Sequence, residues 1–252
     1  MWKVMLLAVF VGIFVFALNY VFNQSADVNL GQPRPTIRQS TAPILEGSDD
    51  YALVWFEKDE AGRTELIANF SQRLNSKEVI DQHACKFLVN AGFYDEEGSP
   101  IGFFKTLDGQ VSDFEPNKLF NGFVFKTRDG RLDMADKLAF SEAVFGFQTG
   151  PLLLLNNNEV NLSLKSDKNA RRLLFAKSSD NKSIFMAIYD QQSLFSGPKL
   201  ADVAGLLEDF EKDSGIDLMD AINLDGGTAS VFYDGKTHLK ELSPVGSFLC
   251  IN

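Results

Sequence analysis

From Tyr51 onward the sequence is cut into short apolar or alternating runs separated by turn signals, and this punctuation constrains the fold more than any other feature. The runs are Tyr51–Lys58, Thr64–Phe70, Cys85–Ala91, Gly122–Lys126, Leu152–Leu155, Leu173–Lys177, Ile184–Tyr189, Ala221–Leu224, Ser230–Tyr233 and Ser247–Ile251. Runs this short, with turn residues between them, read as strands. Turns are marked at Asp59–Gly62, Asp108-Gly109, Asp129-Gly130 and Asp234-Gly235, and the last three have Asp-Gly hairpin chemistry, which predicts antiparallel pairing. Two segments carry a helical period instead. Lys199–Lys212 puts Leu200, Val203, Leu207 and Phe210 on one face between Pro198 and Gly215, and Ser76–Gln82 has Asn75 as its cap. The expected class is an α+β domain, an antiparallel or mixed sheet with a few packed helices.

The N-terminus is of a different kind. Val4 to Phe22 is a run of 19 residues without a charge, preceded by Lys3. As a helix it spans ~28 Å, close to the hydrocarbon thickness of a bilayer. Residues 1–22 are therefore expected to be a transmembrane anchor, or a signal segment removed on export, although Asn19 and Gln24 spoil the small-residue pairs that cleavage prefers. Residues 23–48 hold Pro33, Pro35 and Pro43 among Gln, Ser, Thr and Asn, which reads as a flexible linker. One folded domain is expected over 49–252.

Charge narrows the function. The chain carries −10, and because residues 1–48 hold three basic against two acidic groups, −11 falls on 49–252. Without a basic field the phosphate-neutralising attraction that dominates nucleic-acid affinity is missing, so no nucleic-acid partner is expected. Two histidines (His83, His238) and two cysteines (Cys85, Cys250) make no paired metal-ligand spacing, and no metal or cofactor is expected. The cysteines lie in apolar runs and are either buried thiols or, in an oxidising compartment, one bridge closing a long loop. Nucleophile-elbow, Walker and dinucleotide-binding fingerprints are absent from the sequence.

Four local patterns bear chemistry, each with a plainer structural reading. Asn90-Ala91-Gly92-Phe93 follows a strand and sets an amide beside an aromatic, as at a cleft floor or in an ordinary turn. Gln148-Thr149-Gly150-Pro151 precedes the run Leu152–Leu155, where Gln148 orients a hydroxyl-bearing ligand or simply belongs to a loop. Arg171-Arg172 offers a planar fork for phosphate or carboxylate, or a surface ion pair. Asn223-Leu224-Asp225-Gly226-Gly227-Thr228-Ala229-Ser230 ends an apolar strand in a carboxylate followed by two glycines, either a nest for an anionic oxygen or a hairpin turn.

Taken in order, VNAGFYDEEGSPIGFF, NGFVF, FGFQTGPLLL, ARRLLFA and AINLDGGTASVFYDG resemble the blocks of the phosphodiester glycosidase family, from about Phe87 to Ile251. Thr228 stands where many members have a third glycine, and Leu173 where many have serine or threonine. The resemblance implies hydrolysis of a sugar-1-phosphodiester, with Asp225, Arg172 and Asn90 as catalytic residues and Gly92, Phe93, Gln148, Asn223, Gly226, Gly227 and Ser230 as substrate-binding residues. In that scheme Asp225 is base or nucleophile, Arg172 and the Gly226 and Gly227 amides stabilise departing negative charge, and Asn90 and Gln148 hold sugar hydroxyls. The expected partner is a sugar-phosphate or polysaccharide substrate, with membrane attachment through residues 4–22. The expected place is the cell envelope outside the cytoplasm, or the exterior after signal cleavage. The alternative is a non-catalytic module that binds a glycan or anionic polymer.

Overall fold

A computed structural model describes residues 51–58 and 62–252, together with the two-residue strand β1 (Gln39–Ser40). The expected anchor at 1–22, most of the linker at 23–48 and most of the turn at 59–62 lie outside the described residues. Among the described residues no helix is long and apolar enough to cross a membrane.

The apolar runs form strands with small shifts at their ends. They are β2 (Tyr51–Lys58), β3 (Thr64–Ala68), β4 (Phe87–Asn90), β7 (Gly122–Lys126), β10 (Leu152–Leu155), β12 (Arg172–Ser178), β13 (Ser183–Asp190), β14 (Leu218–Asn223), β15 (Phe232–Tyr233) and β17 (Ser247–Ile251). Six further strands were not anticipated: β5 (Phe104–Thr106), β6 (Gly109–Ser112), β8 (Leu132–Ala135), β9 (Phe145–Thr149), β11 (Asn158–Glu159) and β16 (His238–Leu239). Each Asp-Gly pair closes a hairpin, β5–β6, β7–β8 and β15–β16, with Gly109, Gly130 and Gly235 at positive φ.

Three sheets result, in the orders β1-β2-β13-β12-β14-β10-β11, β16-β15-β4-β17-β3 and β6-β5-β9-β7-β8, and every ladder among them is antiparallel. Gln39 and Ser40, inside the stretch read as linker, pair with Phe56 and Trp55. The ladder groups that β2 leaves open at its edge explain that pairing.

The seven-stranded sheet is apolar on both faces, which is why its strands read as continuous hydrophobic runs rather than alternating ones. On one face Leu53, Trp55, Leu174, Met186 and Ile188 pack under α2 (Val203–Ser214), which contributes Val203, Leu207 and Phe210. On the other face Phe56, Phe175 and Phe185 enter the main core with residues of the second and third sheets. Phe87 of β4 is the hub, its ring stacked on Phe56 at 4.2 Å and in contact with Phe185 at 4.9 Å and Phe232 at 5.3 Å.

Helix α1 (Ser76–His83) covers the outer face of the second sheet through Val79. Asn75 caps it in a full capping box, its side chain accepting from the Glu78 amide while the Glu78 carboxylate accepts from the Asn75 amide. α2 is preceded by a 3-10 turn at Leu200–Asp202 and ends at Gly215 in the left-handed conformation.

Cys85 and Cys250 form a disulfide across 165 residues with Cα atoms 5.5 Å apart, fastening the end of α1 to β17. In the chain-entropy account a loop of that length is worth ~4 kcal/mol or slightly more. Replacing both cysteines with alanine is expected to lower the melting temperature by roughly 10 °C. An unchanged melting temperature under non-reducing conditions would show that the bridge contributes nothing.

Candidate active site

Strand ends and loops drawn from all three sheets converge on a cavity of about 390 Å³. Asn223 lies at its floor, at the end of β14, and Gly150 and Pro151 come from the connection between β9 and β10. Arg172 enters from the start of β12, Phe93 from the loop after β4, and Asp225, Gly226 and Gly227 from the turn after β14.

Asp225 faces this cavity half-buried and holds the one carboxylate on its lining that no cation or helix end engages. Burial pushes its carboxyl up to about 7, while the neighbouring Gly226 amide pulls the other way. At neutral pH the group is therefore divided between its two protonation states, the condition under which a side chain moves protons most readily.

The turn that carries Asp225 is held from three sides. Asn90 at the end of β4 donates through Nδ2 to the Asp225 carbonyl at 2.6 Å and accepts from the Val231 amide at 2.8 Å, bracketing the turn. Arg171 is fully buried; its Nε donates to Ser230 Oγ at 2.7 Å, Nη1 to the Leu194 carbonyl at 3.1 Å, and Nη2 to the carbonyls of Ser230 and Lys240. The Arg171 carbonyl in turn accepts from the Gly227 amide at 2.8 Å. A Cβ on Gly226 would sit 2.6 Å from that same carbonyl, so only glycine lets the turn close on Arg171. Burial lowers the Arg171 guanidinium to about 10, which leaves it cationic at neutral pH.

Arg171 and Arg172 are consecutive in extended chain and point opposite ways. Arg172 reaches the cavity, with Nε on the Pro198 carbonyl at 3.0 Å and Nη2 on Asp167 Oδ1 at 3.2 Å. Its Nη1 makes no hydrogen bond among the described residues and is left for a ligand. Asp167, the second carboxylate on the lining, is fully engaged: besides Arg172 it accepts the Leu200 and Ala201 amides at 2.9 Å each, capping the turn before α2. Arg171 is buried without an ion pair among the described residues, whereas Arg172 does pair with an acid, Asp167, on the cavity lining rather than on open surface.

The other expected site residues separate into those on the lining and those behind it. Phe93 stacks on Phe120 with ring centroids 4.4 Å apart, and the two rings form an apolar wall. Asn223 donates through Nδ2 to the Gly150 carbonyl at 3.0 Å, which fixes its amide, and its Oδ1 is a buried acceptor without a partner among the described residues. Gly92 is buried against Phe147 and Gln148, away from the lining. Ser230 is buried too; its hydroxyl accepts from Arg171 and donates to the Gly227 carbonyl at 2.6 Å.

Gln148, expected to hold a sugar hydroxyl, has its side chain occupied by main chain: Oε1 accepts the Phe103 and Glu115 amides, and Nε2 donates to the Glu115 and Phe120 carbonyls. It anchors the 115–120 loop and so places Phe120 on the wall. Asn90 likewise touches the turn and not the cavity. The Gly227 amide, expected to meet departing charge, is taken by Arg171, and the Gly226 amide faces Asp225. Asp167 and Phe120 are the contributors that sequence reasoning missed, and Arg171 was singled out beside Arg172 without its structural role. Among the described residues no group of three or more metal-ligating side chains converges.

A phosphodiester glycosidase family model matches residues 83–251, well over half the chain, and that interval contains the whole turn from Asp225 to Ser230. The chain belongs to the phosphodiester glycosidase family. Its fold is similar to the zebrafish N-acetylglucosamine-1-phosphodiester α-N-acetylglucosaminidase catalytic domain auto-inhibited by its pro-peptide, with a TM-score of 0.58 at 16% identity, covering 86% of this chain and 88% of that one. A Synechocystis protein matches with a TM-score of 0.58 at 12% identity, covering 85% of this chain and 61% of that one. No protein with a curated description matches the chain in sequence.

The raised Asp225 carboxyl carries a sign for stability. The folded protein holds that proton more tightly than the unfolded chain, so the group costs nothing below about pH 3.8 and its full cost is reached above about pH 7. Asp225→Asn, neutral throughout, is expected to be more stable than the parent at pH 8 by on the order of 2 kcal/mol, less than a fully dry carboxyl would give because the cavity admits water. The gain should vanish by pH 4 in denaturant melts. A gain independent of pH would show that Asp225 is an ordinary solvated turn residue.

Proposed function

We propose that this family member is a hydrolase that cleaves the C1–O bond of a sugar-1-phosphodiester. The reading is carried by one juxtaposition, Asp225 with its carboxyl near neutrality and the Arg172 guanidinium on the lining of the same cavity. Supporting it are the unpartnered Asn223 Oδ1, an acceptor for a sugar hydroxyl or amide N–H, and the Phe93–Phe120 wall for the apolar face of a ring. The N-acetylglucosamine phosphodiester named for the zebrafish enzyme is the first substrate to try.

In this reading the Asp225 carboxylate takes a proton from water as the water oxygen bonds to C1. The C1–O bond breaks, and its electron pair leaves with the phosphate as a monoester. A glycoside of an ordinary alcohol needs a second carboxyl to protonate the leaving oxygen. A phosphate monoester departs as a stable anion and needs positive charge instead, which Arg172 on the lining would supply. Asn90, Gln148, Arg171 and Ser230 act behind the lining as positioning residues.

We place the domain outside the cytoplasm, in the cell envelope. The Cys85–Cys250 bridge is favoured in an oxidising compartment, and the uncharged run 4–22 suits export or anchoring.

With the methyl diester of N-acetylglucosamine 1-phosphate, kcat/KM is expected to rise with pH through about 7 as Asp225 loses its proton. Asp225→Asn should lower turnover by about a thousandfold with folding intact, and Arg172→Lys by a smaller factor, because a point charge replaces the fork. Normal rates in both variants would remove the two residues from the mechanism. A parent chain that binds the diester without releasing sugar would be a binding module.

A further inference from the structure

Between β16 and β17 the chain runs as a strap, residues 240–246, against the turn that carries Asp225. The strap belongs to no ladder, and no residue from Lys240 to Pro244 is buried, so hydrogen bonds rather than packing decide where this part lies. Its first half meets the turn and the arginine behind it. The Lys240 carbonyl accepts from Arg171 Nη2 at 2.9 Å, and the Leu242 and Ser243 amides donate to the Thr228 carbonyl at 2.7 and 3.0 Å. Ser243 Oγ also donates to Thr228 Oγ1 at 3.0 Å. Thr228 lies within the turn, so a displaced strap would release it.

The strap has to be held in return. Its second half is held by the buried Asn69, which donates through Nδ2 to the Val245 carbonyl and through its amide to the Gly246 carbonyl, each at 2.8 Å, and by Tyr94, whose hydroxyl donates to the Pro244 carbonyl. For residues 240–243, the half that touches the turn, the one anchor elsewhere among the described residues is the Glu241 side chain, whose Oε1 accepts the Ser76 amide at 2.7 Å. Ser76 is buried in the first turn of α1, where amides have no partner inside the helix and the dipole favours a carboxylate. α1 is itself tied down, by Val79 in the core and by the Cys85–Cys250 bridge just beyond its far end. Glu241 thus joins a fixed helix to the strap. Burial lowers the Arg171 guanidinium, and the Glu241 charge opposes that by favouring the cation.

Glu241 does not line the cavity, so its effect on the site runs through the strap. We propose that Glu241 is a positioning residue for Asp225: by accepting the Ser76 amide it seats the 240–246 strap, which holds the turn that presents the carboxyl to the cavity. The inference rests on the hydrolase reading for its consequence in turnover, and it adds to that reading a residue outside the cavity. Without the bond to α1 the first half of the strap loses its outer anchor, the turn loosens at Thr228, and water reaches Asp225. Solvation returns a carboxyl toward its ordinary range. The charged and titratable groups around Asp225 are Asp167, Lys168 and Arg172 on the lining and Tyr94 on the loop after β4; those around Glu241 are Arg171, His238 and Lys240. None of them is substituted in the test.

The test cuts the bond from each end in the full-length chain. Glu241→Ala removes the acceptor. Ser76→Pro removes the donor at the first helical position, which proline favours, after an Asn75 whose backbone is already extended. Ser76→Ala, which loses the hydroxyl beside His238 and keeps the amide, is the control. Titration of the Asp225 carboxyl is followed by NMR with labelled aspartate well below each melting temperature, its signal identified by its loss in Asp225→Asn. Glu241→Ala and Ser76→Pro are each expected to lower the midpoint from about 7 by about one pH unit or more, the double variant to go no further, and Ser76→Ala to leave it in place. On the methyl diester, kcat should fall about tenfold or more in both, with KM changed far less. A midpoint unmoved in either variant, effects that add in the double variant, or a Ser76→Ala that behaves like Ser76→Pro would overturn the role. Turnover by the parent is scored separately. Shifted midpoints in a chain that releases no sugar sink the hydrolase reading and keep the role, and turnover with unmoved midpoints does the reverse.

Discussion

The buried guanidinium of Arg171 is the interaction on which the rest of the site depends. A charge inside a protein costs several kcal/mol unless its donors are satisfied. Here they meet the Ser230 hydroxyl and the carbonyls of Leu194, Ser230 and Lys240, with the Phe195 ring 5.0 Å from the guanidinium carbon. Those partners come from segments far apart in sequence, so the side chain acts as a knot that ties the 225–230 turn to the strands behind it. The Arg171 carbonyl closes the knot on Gly227, and Asn90 holds the opposite end of the turn. Asp225 faces the cavity because everything around it is fixed by groups that never reach the cavity themselves.

The consecutive arginines show how strand geometry divides labour. Alternation sends Arg171 inward and Arg172 to the lining, so one residue type serves structure at one position and is available to a ligand at the next. In a domain carrying −11, Asp167 would be expected to neutralise Arg172 outright. It meets the guanidinium only through Nη2 and is shared with the Leu200 and Ala201 amides, and Arg172 Nη1 makes no hydrogen bond among the described residues.

Much of the fold was legible where local chemistry decides it. The Asn75 cap, the Asp-Gly hairpins and the strands buried on both faces follow from residues adjacent in sequence. β5, β6 and β8 were missed because they are three or four residues long and polar at alternate positions. β9 was missed because Gly146 and Gln148 break its apolar run. In the site, the residues themselves stood out but their roles did not. Gln148 has amide chemistry suited to a sugar hydroxyl, yet the 115–120 loop, some thirty positions earlier in the chain, takes its donors and acceptors. Gly227 looks like a free nest amide until the Arg171 carbonyl is placed against it. A side chain's type is local information, whereas its partners are set by tertiary structure.

The burial that raises Asp225 links stability to the proposed chemistry. A carboxyl in water would be fully ionised at neutral pH and a weak base, whereas one lifted to about 7 accepts a proton readily at the same pH. The same desolvation makes the ionised form a liability to the fold, so the state needed to take a proton from water is also the state the folded chain holds least comfortably. The Gly226 amide offsets part of that strain by favouring the carboxylate. Residues behind the turn supply the rest by denying it any other conformation, which is why the clamps on Asp225 outnumber the groups that would touch a substrate. A site with a single free carboxylate has no second acid to share the task. Its positioning groups therefore have to hold one side chain firmly in a position that is unfavourable for folding and useful for proton transfer.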